Sequence, residues 1–382
     1  MDAALNEIRE QYTKGDAAER QKIQDQIRDL QYDLYTDWEV MFSSAYAPLR
    51  WALIQIGTDL KIFTTLASSS TTVSHKEFVD KTGAAPTLMK HVLRSMASFG
   101  LVKETAQDTF QANRVTVILA NPHVEGAAPH ISVVQAPTTY AMPQWLKDHN
   151  YQNMDSINDL PFHKALRTDL SPFDYLEANP VLMKALGHVM VLDGTQSWTE
   201  SYPVEKELQD FKPSNDSAVL VDIGGGFGQH SVFFKKKFPH IEGRIVVEDL
   251  PSTLKHIPDK PAGIDFEEYD FFTPQPIHGA KFYYLRHVLH DWPDNDCVRI
   301  LKNTISAMGP ESLILLDEAV LPEMKVPWQV SSMNMLMMAL HSGMERSKGD
   351  WESLLDRAGL KIAHIVKYDD VKHHCIVAAV PK

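Results

Sequence analysis

The sequence predicts an α/β protein. Its C-terminal half reads as a doubly wound, Rossmann-like nucleotide-binding domain, and its N-terminal third as all-α with a winged helix. Three observations carry this. Ala218-Val219-Leu220-Val221 is an uninterrupted apolar run, as a parallel strand buried on both faces requires. Gly224, Gly225, Gly226 and Gly228 follow it, then an amphipathic segment from His230 to Phe238 and a second apolar strand leading to Asp249. Upstream, Val73 to Ala112 reads as helix, turn, helix and hairpin.

Residues 1–42 carry charges throughout, and Ile23, Ile27, Leu30 and Leu34 fall on one helical face that needs a partner. Trp51 to Leu66 is more apolar and predicts a buried helix. Ser74 and Glu77 can form a capping box for a short helix that Gly83 ends. Pro86 favours the start of the next, which runs to Phe99 and stops at Gly100. Leu101 to Gln111 alternates like a small hairpin. Such a unit could bind DNA through Lys90, His91 and Arg94. Across residues 73–115, however, the basic side chains exceed the acidic ones by only two, too few for a phosphate-binding face. Between 121 and 200 the prolines, Pro122 to Pro180, cut the chain into short helices.

Open α/β sheets bind ligands beyond the carboxyl ends of their strands. The first strand ends in Gly224–Gly226. The spacing is G-x-G-x-G, with Gln229 where a dinucleotide pattern would place a further glycine. The alternative reading is a tight structural turn. Arg244 to Glu248 leads to Asp249, whose carboxylate suits two ribose hydroxyls. Ile264 to Tyr269 leads to Asp270 and Phe271, which suit the amine and the ring face of an adenine. Lys281 to Leu285 is followed by Arg286, and Leu313 to Leu316 by Asp317 and Glu318. His287, His290, Asp291 and Trp292 follow the fourth strand, before Pro293 opens a helix over Asp294 to Ala307. Histidine, with an ordinary pKa of about 6.5, is the side chain best suited to general-base work near neutrality. His287, His290, Asp291, Asp294 and Asp296 could also be assembled into a metal site. Acids at a helix start more often serve as caps and dipole partners, and His373-His374-Cys375 reads as part of a hairpin, so no metal is expected.

The 382 residues allow two domains. A net charge of −13 opposes general nucleic-acid binding and docking on anionic lipid. Two cysteines, Cys297 and Cys375, make no disulfide framework and point to a reducing compartment. The N-terminal residues lack the apolar core of a secretory signal, and no stretch approaches 18 apolar residues. A cytoplasmic protein that binds neither nucleic acid nor membrane is expected.

VDIGGGFG, VVEDLP, YDFF and LRHVLHDW, in this order, resemble the S-adenosylmethionine-dependent O-methyltransferases of the plant caffeate and fungal secondary-metabolite type. The resemblance runs from about Trp51 to the C-terminus. It implies a donor site of Gly224, Gly225, Gly226, Asp249, Leu250, Asp270, Phe271 and Arg286 for S-adenosyl-L-methionine. It implies His290 as general base, with Glu318 and Glu345 flanking it, and acceptor contacts at Met190, Asp193, Asn334 and Met338. It further implies a helical and winged-helix homodimerisation domain over 1–120, connecting helices roofing the acceptor pocket over 121–200, and the methyltransferase domain over 201–382. The expected acceptor is a phenolic or enolic hydroxyl of a polyketide or alkaloid. A related possibility keeps the donor but performs pericyclic or dehydration chemistry.

Overall fold

The computed structural model describes residues 1–193, 197–208, 211–212, 217–255, 257 and 259–382. The chain divides into two compact units, Met1–Ala136 with Ala178–Thr195, and Pro137–Glu177 with Gln196–Lys382.

In the first unit the apolar segment around Trp51 is not one helix. Ala47–Asp59 and Ile62–Ala67 are separated at Lys61, whose φ of 53° is left-handed. The break lets Phe63 fold back over Gly57, where a Cβ would lie 2.5 Å from the ring. The Ser74–Glu77 capping box forms as the sequence predicts. Strands β1 (Val73–Ser74), β2 (Lys103–Ala106) and β3 (Thr109–Gln111) make a small sheet in the order β1-β3-β2. Leu53, Phe63, Phe78, Met89, Leu93 and Phe110 form the core of this unit. The stripe on the helix Ala17–Leu34 is left open: Ile27, Leu30 and Leu34 are 49%, 55% and 74% exposed.

The second unit is built on a mostly parallel sheet. Its strands are β4 (Ala218–Ile223), β5 (Arg244–Asp249), β6 (Asp265–Glu268), β7 (Phe282–Arg286), β8 (Leu313–Leu321), β10 (Leu360–Lys367) and β11 (His374–Pro381), with β9 (Arg346–Ser347) paired to the end of β8. The order is β10-β11-β8-β7-β4-β5-β6, and only the two pairings of β11 are antiparallel. The apolar runs are continuous because both faces are covered. Val221, Tyr283, Leu285, Ile314 and Leu316 pack with Ile300, Leu301, Trp351 and Leu355. Their neighbours Leu220, Phe282, Tyr284 and Leu315 pack with Trp198 and Phe234.

Glu248, beside the strand end that carries Asp249, is fully buried. One oxygen accepts from Gln275 Nε2 at 2.7 Å, and the other has no hydrogen-bond partner among the described residues. Burial pushes its pKa up to about 7, only partly opposed by the Gln275 bond. A raised carboxyl pKa favours the folded state below the unfolded value, and that contribution is lost as pH rises through the folded one. Glu248→Gln should therefore stabilise the protein by about 1–3 kcal/mol at pH 8. The gain should fade toward pH 5, as denaturant titrations at the two pH values would reveal. Equal effects at both would contradict the buried-acid reading.

Candidate active site

The glycine turn after β4 takes the shape that its composition allows. Gly224 and Gly226 have φ of 68° and 56°, a region that other residues enter at a cost. The amides of Gly224 and Gly225 donate to the Glu248 carbonyl at 2.8 and 3.2 Å, which ties the turn to β5. Asp249 Oδ2 accepts from Gly226 N at 2.8 Å and Oδ1 from Leu250 N at 2.8 Å, so the carboxylate is held at the strand end. A Cβ on Gly224 would meet Val288 at 3.0 Å and Phe271 at 3.9 Å, whereas one on Gly226 would point into open space. The turn is thus an open cradle with Phe271 on its flank and an acid at its lip. That composition fits an adenosine ligand. Asp270 Oδ1 caps its own turn by accepting from Phe272 N at 2.9 Å. Arg286 lies deeper, with Nη1 2.8 Å from Asp317 Oδ2 and 2.5 Å from Tyr368 Oη.

His290 sits in the short turn Leu289–Asp291 after β7. Its Nδ1 is 2.9 Å from Glu345 Oε1 and 4.0 Å from Glu318 Oε2, and its Nε2 is 3.5 Å from Asp291 Oδ1. Glu318 Oε1 accepts from Leu289 N at 2.9 Å and fixes the turn. The β8 strand is longer than its apolar run predicts, because Asp317 and Glu318 lie within it and are both fully buried. Alternation along the strand sends Asp317 to Arg286 and Glu318 to the imidazole. Pairing of β9 with the end of β8 (Val320 opposite Arg346) brings Glu345 to the same place. Burial works to lower the His290 pKa. The negative charges of Asp291, Glu345 and Glu318 outweigh it and push the pKa up to about 10. Burial also raises Glu318, to about 7.

The backbone around the histidine is clamped. Arg346, 1% exposed, donates from Nη1 to the Leu289 carbonyl at 2.9 Å, and from Nη2 to the Trp292 carbonyl at 3.0 Å and to Asp294 Oδ1 at 2.9 Å. Gly343 passes so close that a Cβ there would lie 1.8 Å from the His290 carbonyl oxygen. Asn334, half-buried, accepts from the Glu345 amide at 2.9 Å and so also positions the carboxylate, which its sequence context did not suggest. Met338 is half-buried on the same helix, Trp328–His341. Met190 is 61% exposed on the helix Pro180–Asp193, and the Asp193 side chain lies outside the described residues.

Asp291 and Arg346 also touch the histidine and its turn, which motif reading does not reveal. Asp291 reads as one of the helix-start acids, yet its carboxylate lies 3.5 Å from His290 Nε2 and its charge raises the histidine's pKa. Arg346 lies beside Glu345 in Gly343-Met344-Glu345-Arg346, and that adjacency was the available signal. His287, a loop residue by sequence, stacks on His290 with ring centroids 4.9 Å apart. The ligand atoms of His290, Glu318 and Glu345 lie within 4.8 Å of one another, close enough for a cation as well as for sharing a proton.

The sequence profile of the O-methyltransferase domain matches residues 154–361. The chain is 44% identical to the demethylsterigmatocystin 6-O-methyltransferase of Aspergillus parasiticus, covering all of this chain and 98% of that protein. It is 42% identical to the O-methyltransferase okaF of Penicillium ochrochloron, with both chains covered completely. A solved structure described as a pericyclic reaction enzyme superposes with a TM-score of 0.93 at 30% identity, over all of this chain and 99% of that one. The structure of LepI in complex with SAM gives the same TM-score and identity, over all of this chain and 98% of that one.

Proposed function

This chain belongs to the O-methyltransferase family and uses S-adenosylmethionine, and from that premise we propose that it methylates a phenolic or enolic hydroxyl of a polyketide-like metabolite with His290 as general base. The observation that carries the reading is the 2.9 Å contact between His290 Nδ1 and Glu345 Oε1. In the neutral form of the ring, which gains as pH rises, the Nδ1 proton is donated to a carboxylate and Nε2 holds the lone pair that can accept the acceptor's proton. S-adenosylmethionine supplies a methyl group made electrophilic by its sulfonium. A phenol has a pKa of about 10, and the carboxylates that push His290 up make its ring a stronger acceptor for that proton than a free imidazole. Glu318 and Glu345 steady the imidazolium that forms.

Donor binding is assigned to Gly224, Gly225, Gly226, Asp249, Leu250, Asp270 and Phe271, with Arg286 beneath them. Asp249→Ala should raise the donor Kd about tenfold or more, because ribose hydroxyls would be left without their acceptor. Unchanged affinity by calorimetry would remove that assignment.

The two helices and three strands between Val73 and Gln111 are read as a winged helix that serves homodimerisation together with the helices preceding it. The exposed side chains of Leu34, Trp38, Met41 and Phe42 support this, being 74%, 60%, 55% and 44% accessible. Sedimentation at micromolar concentration should give a dimer, and a clean monomer would contradict it.

A second reading, pericyclic chemistry with the donor retained, is favoured by the likeness to the pericyclic reaction enzyme. Incubation with S-adenosylmethionine and a panel of polyketide phenols separates the two. O-methylated product with equimolar S-adenosylhomocysteine supports transfer. Conversion of the substrate without S-adenosylhomocysteine supports the second reading.

A further inference from the structure

His341 ends the methionine-rich helix Trp328–His341, where Ser342, at φ 60°, reverses the chain toward Gly343 and Glu345. Neither the sequence nor the proposed mechanism has a use for His341. Its ring packs on Phe173 with centroids 5.1 Å apart, and Phe173 in turn stacks on Trp292 at 6.1 Å. It makes no hydrogen bond to any described residue. Nδ1 is sealed from solvent without a partner, whereas Nε2 is not sealed.

Two consequences follow from elementary chemistry. Burial lowers the His341 pKa, and although Asp291 opposes this, His290 adds to it, so the ring is neutral near pH 7. A neutral imidazole carries one proton. An enclosed N–H with no acceptor is rarer and costlier than an enclosed lone pair. The proton therefore resides on Nε2, the accessible edge. The result is a fixed N–H donor beside a wall of Phe173 and Trp292, within electrostatic reach of His290 and Asp291.

We propose that His341 is a specificity-determining residue that donates Nε2–H to an acceptor oxygen other than the one methylated. The favoured substrates are then planar aromatics bearing a carbonyl or second hydroxyl close to the reacting hydroxyl. In a phenol whose hydroxyl bonds to a neighbouring carbonyl, an N–H competing for that carbonyl would also free the phenolic proton for His290. The inference rests on the O-methyltransferase reading above and narrows its substrate class. A site built to pair a polar substrate group discriminates against analogues that lack it, since its own donor is then left unmet.

The test uses two probes on the full-length protein: a hydroxyanthraquinone whose hydroxyl sits beside the carbonyl, and the matching hydroxyanthracene without carbonyls. The readout is the ratio of their kcat/KM values in the wild type, His341→Phe and His341→Gln. The ratio should fall about tenfold in His341→Phe, the scale of one hydrogen bond, and recover in His341→Gln, which restores an N–H. A purely structural role would depress both substrates together and leave the ratio unchanged, which overturns the proposal while leaving methyl transfer intact. Failure of His341→Gln to recover any of the ratio also overturns it. If the wild type methylates neither probe, the phenol reading falls, and this inference with it.

Discussion

Replacing His290 with alanine should lower turnover by about 10²–10⁴-fold, the usual worth of a positioned general base, while donor affinity stays within a factor of about two. The separation is expected because His290 stands on the turn after β7, whereas the glycine turn and Asp249 of the proposed donor cradle stand at the ends of β4 and β5. The imidazole reaches Glu345, Glu318 and Asp291, and the Asp249 carboxylate is held by Gly226 and Leu250, so the two sets share no hydrogen bond and meet only through apolar packing, Val288 against Gly224 and Trp292 against Phe271. Single-turnover kinetics with saturating donor, beside calorimetric donor binding, measures both quantities. Loss of donor binding together with turnover would mean that His290 is structural. Full activity would remove it from the mechanism.

Arg346→Met should be the most damaging change away from the reacting atoms. The guanidinium is buried, satisfies the carbonyls of Leu289 and Trp292, and pairs with Asp294. Its plane also lies over Trp351, 5.4 Å from the ring centroid. Methionine would fill much of the volume, but the Leu289 and Trp292 carbonyls on either side of His290 would lose their charged donor and keep only weaker ones, the Cys297 thiol at 3.2 Å to each and, for Leu289, the Trp292 amide at 3.3 Å. Removing one partner of a buried charge pair costs about 3–5 kcal/mol. Asp294 is 41% exposed and is also reached by Arg357 at 3.1 Å, which argues for the lower end of that range. Urea denaturation should show the loss, and the surviving folded fraction should have a reduced kcat because the histidine turn is no longer pinned. A variant of unaltered stability would show that the clamp is incidental.

The strands were legible where both faces are buried. Val219 to Val221, Ile245 to Val247 and Phe282 to Leu285 are apolar without interruption, and a solvated face would have broken those runs. Strand β8 was cut short in the sequence because Asp317 and Glu318 look like strand-ending acids. Their partners, Tyr284, Arg286 and Tyr368 for Asp317 and Leu289 N for Glu318, come from distant parts of the chain. The break at Lys61 was hidden for a similar reason. Nothing local forbids helix there, and the turn is set by Phe63 packing against Gly57. His290 and the two glutamates could be named from motifs, but their distances depend on the β8–β9 pairing, which joins residues far apart in sequence. The contribution of Asp291 is electrostatic and appears only once its carboxylate is placed beside Nε2.

The central claim is that carboxylates hold a histidine as the base for methyl transfer, and the pH profile of that step tests it most directly. Burial alone would lower the His290 pKa, and the charges of Asp291, Glu345 and Glu318 raise it to about 10, so the base form should gain with rising pH. A bound sulfonium cation would bring the midpoint down from that value, but equally in the wild type and in a variant. Glu345→Gln removes one of the raising charges. The alkaline-rising limb of the single-turnover rate should therefore move to lower pH in that variant, with a lower plateau. A limb at the same pH in both proteins, or a rate that does not change with pH, would contradict the account.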